Sequence, residues 1–456
     1  MSTRDRTAPA SSTVAVVGGG FSGLLTAIHL LQADPDLIVR LVERAPQFGR
    51  GRAYRTENPD HLLNVRVANM SAFPDRPDHF AAWLRARGDC AGPSAFVSRN
   101  RYGDYLQSLL REHVRDPDNA GRLLLEHDEA VDIEWTDGRQ VVKLALGRSF
   151  EADATVLAVG SPPPSPPHGA DDGVVASANY FAEPWTLDLA SVPQGDVLVV
   201  GSGLTMIDAA LSLAGEGRRL TALSRHGLLP RSHGPTTPSD PPEGSTATPL
   251  QALRTLRAQA RKVGWREAVD GIRPRTAAIW MSWPVDERRR FLRHAQTWWD
   301  VHRHRMAPAV TARVSELIAV GQLEIFGSRL ERIRTAGDGF EATFRRSADG
   351  HWITRRFTAV INCMGMRGSP SAEGNDLVAR LARRGVVRAD PLGLGLEVSD
   401  ALQAVGATGA PTAGLFAVGP LTRGAFWETV ATPDLRIHTA RLARTIFESL
   451  RTVEAA

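Results

Sequence analysis

The stretch Thr13-Val14-Ala15-Val16-Val17-Gly18-Gly19-Gly20-Phe21-Ser22-Gly23 decides the fold of this chain. Its β-branched and apolar start predicts a short buried strand, and an apolar helical pattern from Leu24 to Leu31 follows the glycines. In such a unit Gly18 permits a tight turn, Gly20 lets the backbone approach a diphosphate, and Gly23 allows close helix–strand packing. The stretch therefore predicts a strand, a turn and a helix that together bind a dinucleotide.

The residues next to this turn complete the predicted nucleotide site. A second strand, Leu37–Val42, ends on Glu43, twenty residues after Gly23 (43 minus 23). A carboxylate at that place can accept hydrogen bonds from a ribose diol. Free backbone N–H groups at the helix N-terminus would meet the diphosphate. The flanking residues Phe21, Ser22 and Arg44 join the predicted contacts.

A second copy of the unit begins 183 positions later (201 minus 18), where a strand at 196–200 enters Gly201-Ser202-Gly203-Leu204-Thr205-Met206. The first two glycines are kept and Met206 replaces the third. The next strand, Leu220–Ser224, is followed by Arg225 instead of a carboxylate. Arginine suits a 2′-phosphate, so the pattern favours NADPH over NADH, with Gly201, Gly203, Leu204, Thr205 and Arg225 as contacts. The alternative is a degenerate domain that keeps the fold and has lost the ligand.

Two such units predict an α/β fold with two Rossmann-like dinucleotide-binding domains, the NADP domain being inserted into the FAD domain, plus a helical insertion. The proline-rich run 160–167 breaks both helix and strand and is read as the first linker. The predicted ranges are 1–165 for the first part of the FAD domain, 170–355 for the NADP domain with a helical insertion at about 250–320, and 356–456 for the second part of the FAD domain.

Composition excludes several other classes of protein. Only two of the 54 basic residues are lysines, Lys143 and Lys262, and neither follows a glycine-rich loop, which excludes a P-loop and argues against a Schiff-base lysine. The net charge of +4 is spread along the chain, which argues against nucleic-acid binding. Cys90 and Cys363 have no metal-ligand or CxxC spacing and fit a reducing cytosol. No run is long enough to span a membrane, so we expect a soluble, cytoplasmic protein. We also expect no metal site.

Several motifs resemble class B flavin-dependent monooxygenases, and nearly the whole chain resembles the group of FAD/NAD(P)-binding proteins. The glycine motif is one, and the strand 156–160 with the prolines behind it is another. The loop Leu63-Asn64-Val65…Met70-Ser71-Ala72-Phe73-Pro74-Asp75 is similar to a flavin-facing loop, which would place Asn64 beside the flavin ring as the catalytic residue. The run 415–420 resembles the strand and turn that close over the flavin. The resemblance thus adds Met70, Ser71, Gly160, Gly419 and Pro420 to the FAD contacts.

This resemblance implies an FAD-dependent, NADPH-using oxidoreductase that oxygenates a nitrogen or sulfur of a small molecule through a C4a-hydroperoxyflavin. One departure counts against it. The FxGxxxHxxxY/F pattern of these monooxygenases is absent around 173–180, where Ala176 or Ser177 stands in place of the histidine. Two alternatives therefore stay open: an FAD oxidase or dehydrogenase with a degenerate NADP domain, and a non-catalytic redox-sensing flavoprotein.

The candidates for substrate contact are Trp427, Glu428, Arg303 and Arg305. An arginine could reach a substrate carboxylate. The alternative is that Trp427 is an ordinary packing residue and Glu428 a solvated carboxylate. Arg303 and Arg305 would then lie at the surface end of a helix. His233 is read as a solvated loop histidine. The expected partners are a small-molecule substrate, molecular oxygen and, in an assembly, a second copy of the chain, with no nucleic acid and no membrane.

Overall fold

The computed structural model describes residues 11–161, 164–215, 217–365 and 376–454. Strands and helices in these ranges follow the predicted units closely, beginning with a first strand at Thr13–Val17 and a first helix at Phe21–Ala33. The strands are β1 (Thr13–Val17), β2 (Ile38–Val42), β3 (Leu123–Glu126), β4 (Ala130–Thr136), β5 (Arg139–Leu144), β6 (Ser149–Ala152), β7 (Ala154–Leu157), β8 (Tyr180–Phe181), β9 (Gly195–Val200), β10 (Arg218–Ser224), β11 (Leu323–Ala336), β12 (Gly339–Arg346), β13 (Trp352–Phe357), β14 (Ala359–Asn362), β15 (Gln403–Val405) and β16 (Pro411–Ala417).

The helices are α1 (Phe21–Ala33), α2 (His79–Arg85), α3 (Arg99–Arg115), α4 (Asp172–Val175), α5 (Leu204–Leu213), α6 (Pro249–Val263), α7 (Trp265–Ile272), α8 (Thr276–Ser282), α9 (Val285–His294), α10 (Gln296–Arg303), α11 (Pro308–Ala319), α12 (Asp376–Arg383), α13 (Arg423–Phe426) and α14 (Thr432–Glu454). Among the described residues, no helix is long and apolar enough to cross a membrane.

The first sheet has the strand order β15-β16-β7-β1-β2-β3. All neighbouring strands in it are parallel except the edge pair β15 and β16. The apolar faces of α1 and α14 cover one side, where Leu30, Leu442 and Ile446 pack on Val14 and Val39. Parallel strands are buried on both faces, which explains why β1 and β7 are continuous apolar runs. A small antiparallel sheet, β4-β5-β6, branches from the chain between β3 and β7.

The second sheet has the order β13-β12-β11-β10-β9-β14-β8. Strands β8, β14, β9, β10 and the start of β11 are parallel, and β11, β12 and β13 form an antiparallel meander. The chain enters this sheet after β7 and returns to the first sheet at β15, so one dinucleotide domain is inserted into the other, as predicted. The second sheet continues to Asn362, however, and the predicted boundary at 355/356 falls inside β13.

Helices α6 to α11 run from Pro249 to Ala319, over the range that the sequence predicts to be helical. Helices α6 to α10 surround a small aromatic core of Trp280, Trp283 and Phe291. Helix α11 packs instead on the second sheet through Val310, Val314 and Leu317. The helical stretch is thus divided between two cores: α6 to α10 pack around the aromatic residues, and α11 packs on the second sheet.

Candidate functional site

The first glycine turn leaves no room for a side chain. Gly18 has a φ of +103°, and an added Cβ would lie 2.4 Å from the carbonyl oxygen of Ala158, just beyond the end of β7. An added Cβ on Gly23 would lie 1.7 Å from the carbonyl oxygen of Gly18. Both glycines are thus required by the turn itself, in the roles that the sequence predicts for them.

The second turn repeats the first. Gly201 has a φ of +121°, and its added Cβ would lie 2.4 Å from the carbonyl oxygen of Cys363, which follows β14 as Ala158 follows β7. The third glycine is replaced by Met206, which is fully buried in the core beneath the second sheet. The helix accommodates this larger side chain, and the turn keeps its shape.

Both turns present free backbone donors. Helix α1 has Gly20 as its N-cap and α5 has Gly203, and neither N-cap supplies a side-chain hydrogen bond to the first turn. The first N–H groups of an α-helix lack partners within the helix, and they attract anions. Phe21, Ser22, Leu204 and Thr205 are the first residues of these helices. This arrangement fits a diphosphate at each turn.

Glu43 closes the first turn from the side of β2. Its Oε2 atom accepts a hydrogen bond from the N–H of Gly19 at 2.8 Å, and its Oε1 accepts one from the N–H of Ala45 at 2.8 Å. The carboxylate is thereby fixed at the end of the strand, where a ribose diol could reach its remaining lone pairs. The neighbouring Arg44 points elsewhere, since it is exposed and pairs with Glu129 at 2.8 Å.

The C-terminal strand brings its own turn to the same place. Gly419 has a φ of +87°, and an added Cβ would lie 2.8 Å from the Oγ of Ser22. Gly419 and Pro420 thus lie against the first turn of α1. Gly160 also has a positive φ, +77°, with open space around it. The contact between Gly419 and Ser22 brings together two of the predicted FAD positions from distant parts of the chain.

The loop that carries Asn64 is held by the second domain. The Nε2 of His233 lies 3.0 Å from the carbonyl oxygen of Asn64, and the ring packs 4.8 Å from that of Phe96. Burial lowers the pKa of His233 to about 4, so the ring is neutral and its Nε2–H donates to the carbonyl. The expectation of a solvated histidine is wrong, because the loop 230–249 folds back onto the first domain.

Met70 and Ser71 lie deeper than the resemblance implies. Met70 is 2% exposed in the core between α1 and α3, and Ser71 is fully buried. The Oγ of Ser71 donates to the carbonyl oxygens of Phe73 and Arg76. In this structure both residues support the loop that follows Asn64.

Arg225 lies at the end of β10 and is exposed. Its Nη2 lies 3.4 Å from the Oγ1 of Thr297, and no ion pair to Arg225 is present in the described ranges. The nearby Ser202 hydroxyl donates to Ser224 at 2.8 Å, within the turn that Gly201 and Gly203 form. The guanidinium is therefore available to an anion beside the second turn.

The substrate candidates do not all come together. Arg303 and Glu428 form an ion pair with 3.1 Å between Nη2 and Oε2, and both side chains are less than a tenth exposed. Trp427 stacks on Trp280, with 4.7 Å between ring centroids. Arg305 belongs elsewhere: it is 2% exposed and bound to Asp270 at 2.8 Å. The alternative of a solvated carboxylate at Glu428 is wrong, since helix α10 covers it.

The Arg303–Glu428 pair is incompletely satisfied. Neither carboxylate oxygen of Glu428 accepts a hydrogen bond, and the Nε and Nη2 atoms of Arg303 donate none. Two further, half-buried arginines, Arg273 and Arg423, lie nearby: Arg273 pairs with Asp434 at 3.1 Å, and Arg423 lies 4.4 Å over the ring of Trp427. Burial and these three arginines lower the pKa of the neighbouring His304 to about 3. Sequence reasoning missed Arg273 and Arg423 because arginines are so frequent in this chain.

Comparisons with known proteins agree with this geometry. Residues 15–162 match the model of a family described as FAD-NAD(P)-binding. The chain is 26% identical over 257 residues to the uncharacterized protein YdhS of Escherichia coli, covering 48% of this chain and 46% of the relative. It is 27% identical over 241 residues to the nitrosuccinic acid synthase npaA of Aspergillus oryzae, covering 46% and 36%. The chain thus matches less than half the length of either curated relative.

The whole chain superposes on a solved flavoenzyme. The ornithine N-hydroxylase of Kutzneria, solved with reduced FAD, NADP+ and L-ornithine, matches with a TM-score of 0.67 at 15% identity, over 96% of this chain and 99% of that one. Residues 15–162 thus match an FAD-NAD(P)-binding family model, and the chain has the fold of the two-domain flavoprotein monooxygenases. The predicted fold class is confirmed.

Proposed function

We propose that this protein is an FAD-dependent, NADPH-using monooxygenase that oxygenates the nitrogen of a small-molecule amine. The observation that carries the proposal is the second glycine turn, which repeats the first in backbone angle and in its contact with the next strand. A degenerate domain would not need to keep this shape. In this proposal the second domain runs from about 170 to Asn362, and the FAD domain takes the residues on either side.

The residues of the first turn fit FAD. The uncapped start of α1 would bind its diphosphate, and Glu43 its ribose. When bound and reduced by NADPH, FAD would activate molecular oxygen and supply one oxygen atom to the substrate. The overall balance is amine, O2, NADPH and a proton giving hydroxylamine, NADP+ and water. The protein's own share is to bind, to orient and to exclude water.

Nitrogen is favoured over sulfur by the names of two relatives. One is an ornithine N-hydroxylase and the other a nitrosuccinic acid synthase, and both names describe an oxidised nitrogen on a small carboxylic acid. The substrate class we propose is accordingly an amine that carries at least one carboxylate.

The Arg303–Glu428 pair suits such a substrate. Arg303 could bind a carboxylate through its unused donors, and Glu428 could accept a hydrogen bond from the amine. A bound amino acid would satisfy both groups at once, which the present 3.1 Å contact does not. In this proposal Asn64 would lie beside the flavin ring, on the loop that His233 holds.

Rapid mixing without oxygen tests the proposal. NADPH should reduce bound FAD, seen as loss of its visible absorbance, faster than the same concentration of NADH. Oxygen and a panel of amino acids should then yield a product 16 mass units heavier than its substrate, the mass of one oxygen atom. Reduction by an amino acid without nicotinamide would instead identify an oxidase or dehydrogenase. No reduction by either route would leave the redox-sensing alternative.

A further inference from the structure

A cavity of about 450 Å³ lies between the two dinucleotide domains and begins beside the first turn of α5. The loop 55–61 of the first domain forms one side, and residues 184–212 of the second form the other. Thr205 is the only one of its lining residues that is also a predicted cofactor contact. From there the cavity follows the flank of α5 for about two turns to Ser212, away from Gly203. Most of its lining therefore lies outside the proposed cofactor contacts.

One wall of the cavity carries a buried carboxylate. Asp208 is 7% exposed and stands between Ile207 and Ala209 on helix α5. Its Oδ2 lies 3.1 Å from the Nη2 of Arg99, yet that oxygen accepts no hydrogen bond. Desolvation raises the pKa of Asp208. Asp208 thus places a carboxylate in the wall of the cavity, although its Oδ2 atom has almost no exposed surface.

The mouth of the cavity carries charges of both signs. Within the described ranges, neither the guanidinium of Arg55 nor the carboxylate of Glu57 has a hydrogen bond or an ion pair. Between mouth and wall lie the apolar surfaces of Trp185, Pro184 and Leu187. Two carboxylates repel a phosphate, and the free arginine disfavours a simple amine.

We propose that this cavity binds a free α-amino acid with an apolar side chain. Arg55 would pair with its carboxylate, Asp208 and Glu57 would accept from its ammonium group, and its side chain would pack on Trp185. The cavity lies within the roughly 300–1,000 Å³ typical of small-ligand pockets. The ligand would touch both domains, so binding stabilises the folded protein. This inference does not depend on the proposed oxygenation.

Calorimetric titration of the FAD-loaded protein with L-phenylalanine tests the site. We expect one molecule per chain, and at least tenfold weaker binding of 2-phenylethylamine and of 3-phenylpropanoate, which each lack one charge. Arg55→Gln and Glu57→Gln should each weaken phenylalanine at least fivefold, while Arg219→Gln, on an exposed and distant arginine, should not. Asp208→Asn is less informative because it leaves Arg99 buried without its partner. The variants of Arg55 and Glu57 at the mouth therefore decide whether the cavity is the binding site.

Three outcomes would overturn the inference. They are no binding of phenylalanine, binding that survives both substitutions at the mouth, and displacement of phenylalanine by saturating NADPH. A fourth result would also contradict the inference. Phenylalanine binding that is lost in Arg303→Met but kept in Arg55→Gln would assign the ligand to the proposed substrate site. Because the readout is binding, a failure here is distinguishable from a failure of the monooxygenase proposal.

Discussion

Gly18 and Gly201 occupy equivalent places in two different sheets. Each N–H donates at 2.8 Å to a strand end, Gly18 to Val42 and Gly201 to Leu223, and each α-carbon faces a carbonyl oxygen that would lie 2.4 Å from an added Cβ. The two dinucleotide sites are thus built on one backbone plan, although their third positions differ as Gly23 and Met206.

Replacing either glycine should damage only its own site. We expect Gly18→Ala to lower the FAD retained on purification, and Gly201→Ala to raise the KM for NADPH with FAD content unchanged. Each substitution combines an unfavourable φ with a backbone clash and should cost about 1–3 kcal/mol of unfolding free energy. Gly121→Ala is the matched control, since Gly121 has a φ of +76° and nothing within 4 Å. If Gly121→Ala loses as much unfolding free energy, the backbone clash does not explain the losses at Gly18 and Gly201.

Arg225→Ala should weaken NADPH and leave NADH nearly unchanged. A charge-assisted hydrogen bond contributes about 1.5–3 kcal/mol, so the KM for NADPH should rise roughly 10- to 150-fold. Steady-state kinetics with both nucleotides measure this. Arg219→Ala, at the opposite end of the same strand, is the control and should change neither KM. Equal effects of Arg225→Ala on the two nucleotides would refute the role of Arg225.

Variants of the Arg303–Glu428 pair should distinguish its effect on the stability of the fold from its effect on activity. Glu428→Ala leaves a buried arginine without its partner and should cost about 3–5 kcal/mol of unfolding free energy. The double variant Arg303→Met with Glu428→Leu should recover most of that loss, because two apolar side chains replace the pair. Urea unfolding measures stability, and NADPH-dependent product formation measures activity. A stable double variant that retains wild-type kcat/KM would show that the pair is only structural.

His233 should make stability depend on pH. Its pKa is lowered from 6.5 to about 4 in the folded protein, so between these values the unfolded chain binds the proton and the folded protein does not. The contribution of His233 to stability is therefore complete above pH 6.5 and declines as the pH falls toward 4. We expect His233→Gln, whose amide can still donate to Asn64, to lose less stability between pH 7 and 5 than the wild type.

Urea midpoints at both pH values test this prediction. His168→Gln, on an exposed histidine, should behave like the wild type. Identical pH dependence in His233→Gln and the wild type would contradict a buried, neutral His233.

Several features could be predicted from short stretches of sequence. The first strand was predicted to its ends, and helix α5 was predicted at Leu204–Leu213 as observed. Hydrophobic periodicity and turn chemistry act over a few residues, so they are legible locally. The boundary of the second domain was not legible, because β14 pairs with β9 across more than 150 residues.

The sequence by itself determined the two glycine turns, because a positive φ and a close backbone approach demand glycine wherever they occur. Only the tertiary structure decided which charged residues meet. Arg303 reaches Glu428, 125 positions away (428 minus 303), because the helical insertion packs over the C-terminal segment. Arg305, two residues further, turns to Asp270 instead. Ion pairs form between surfaces that folding brings together, and no local pattern specifies which surfaces those are.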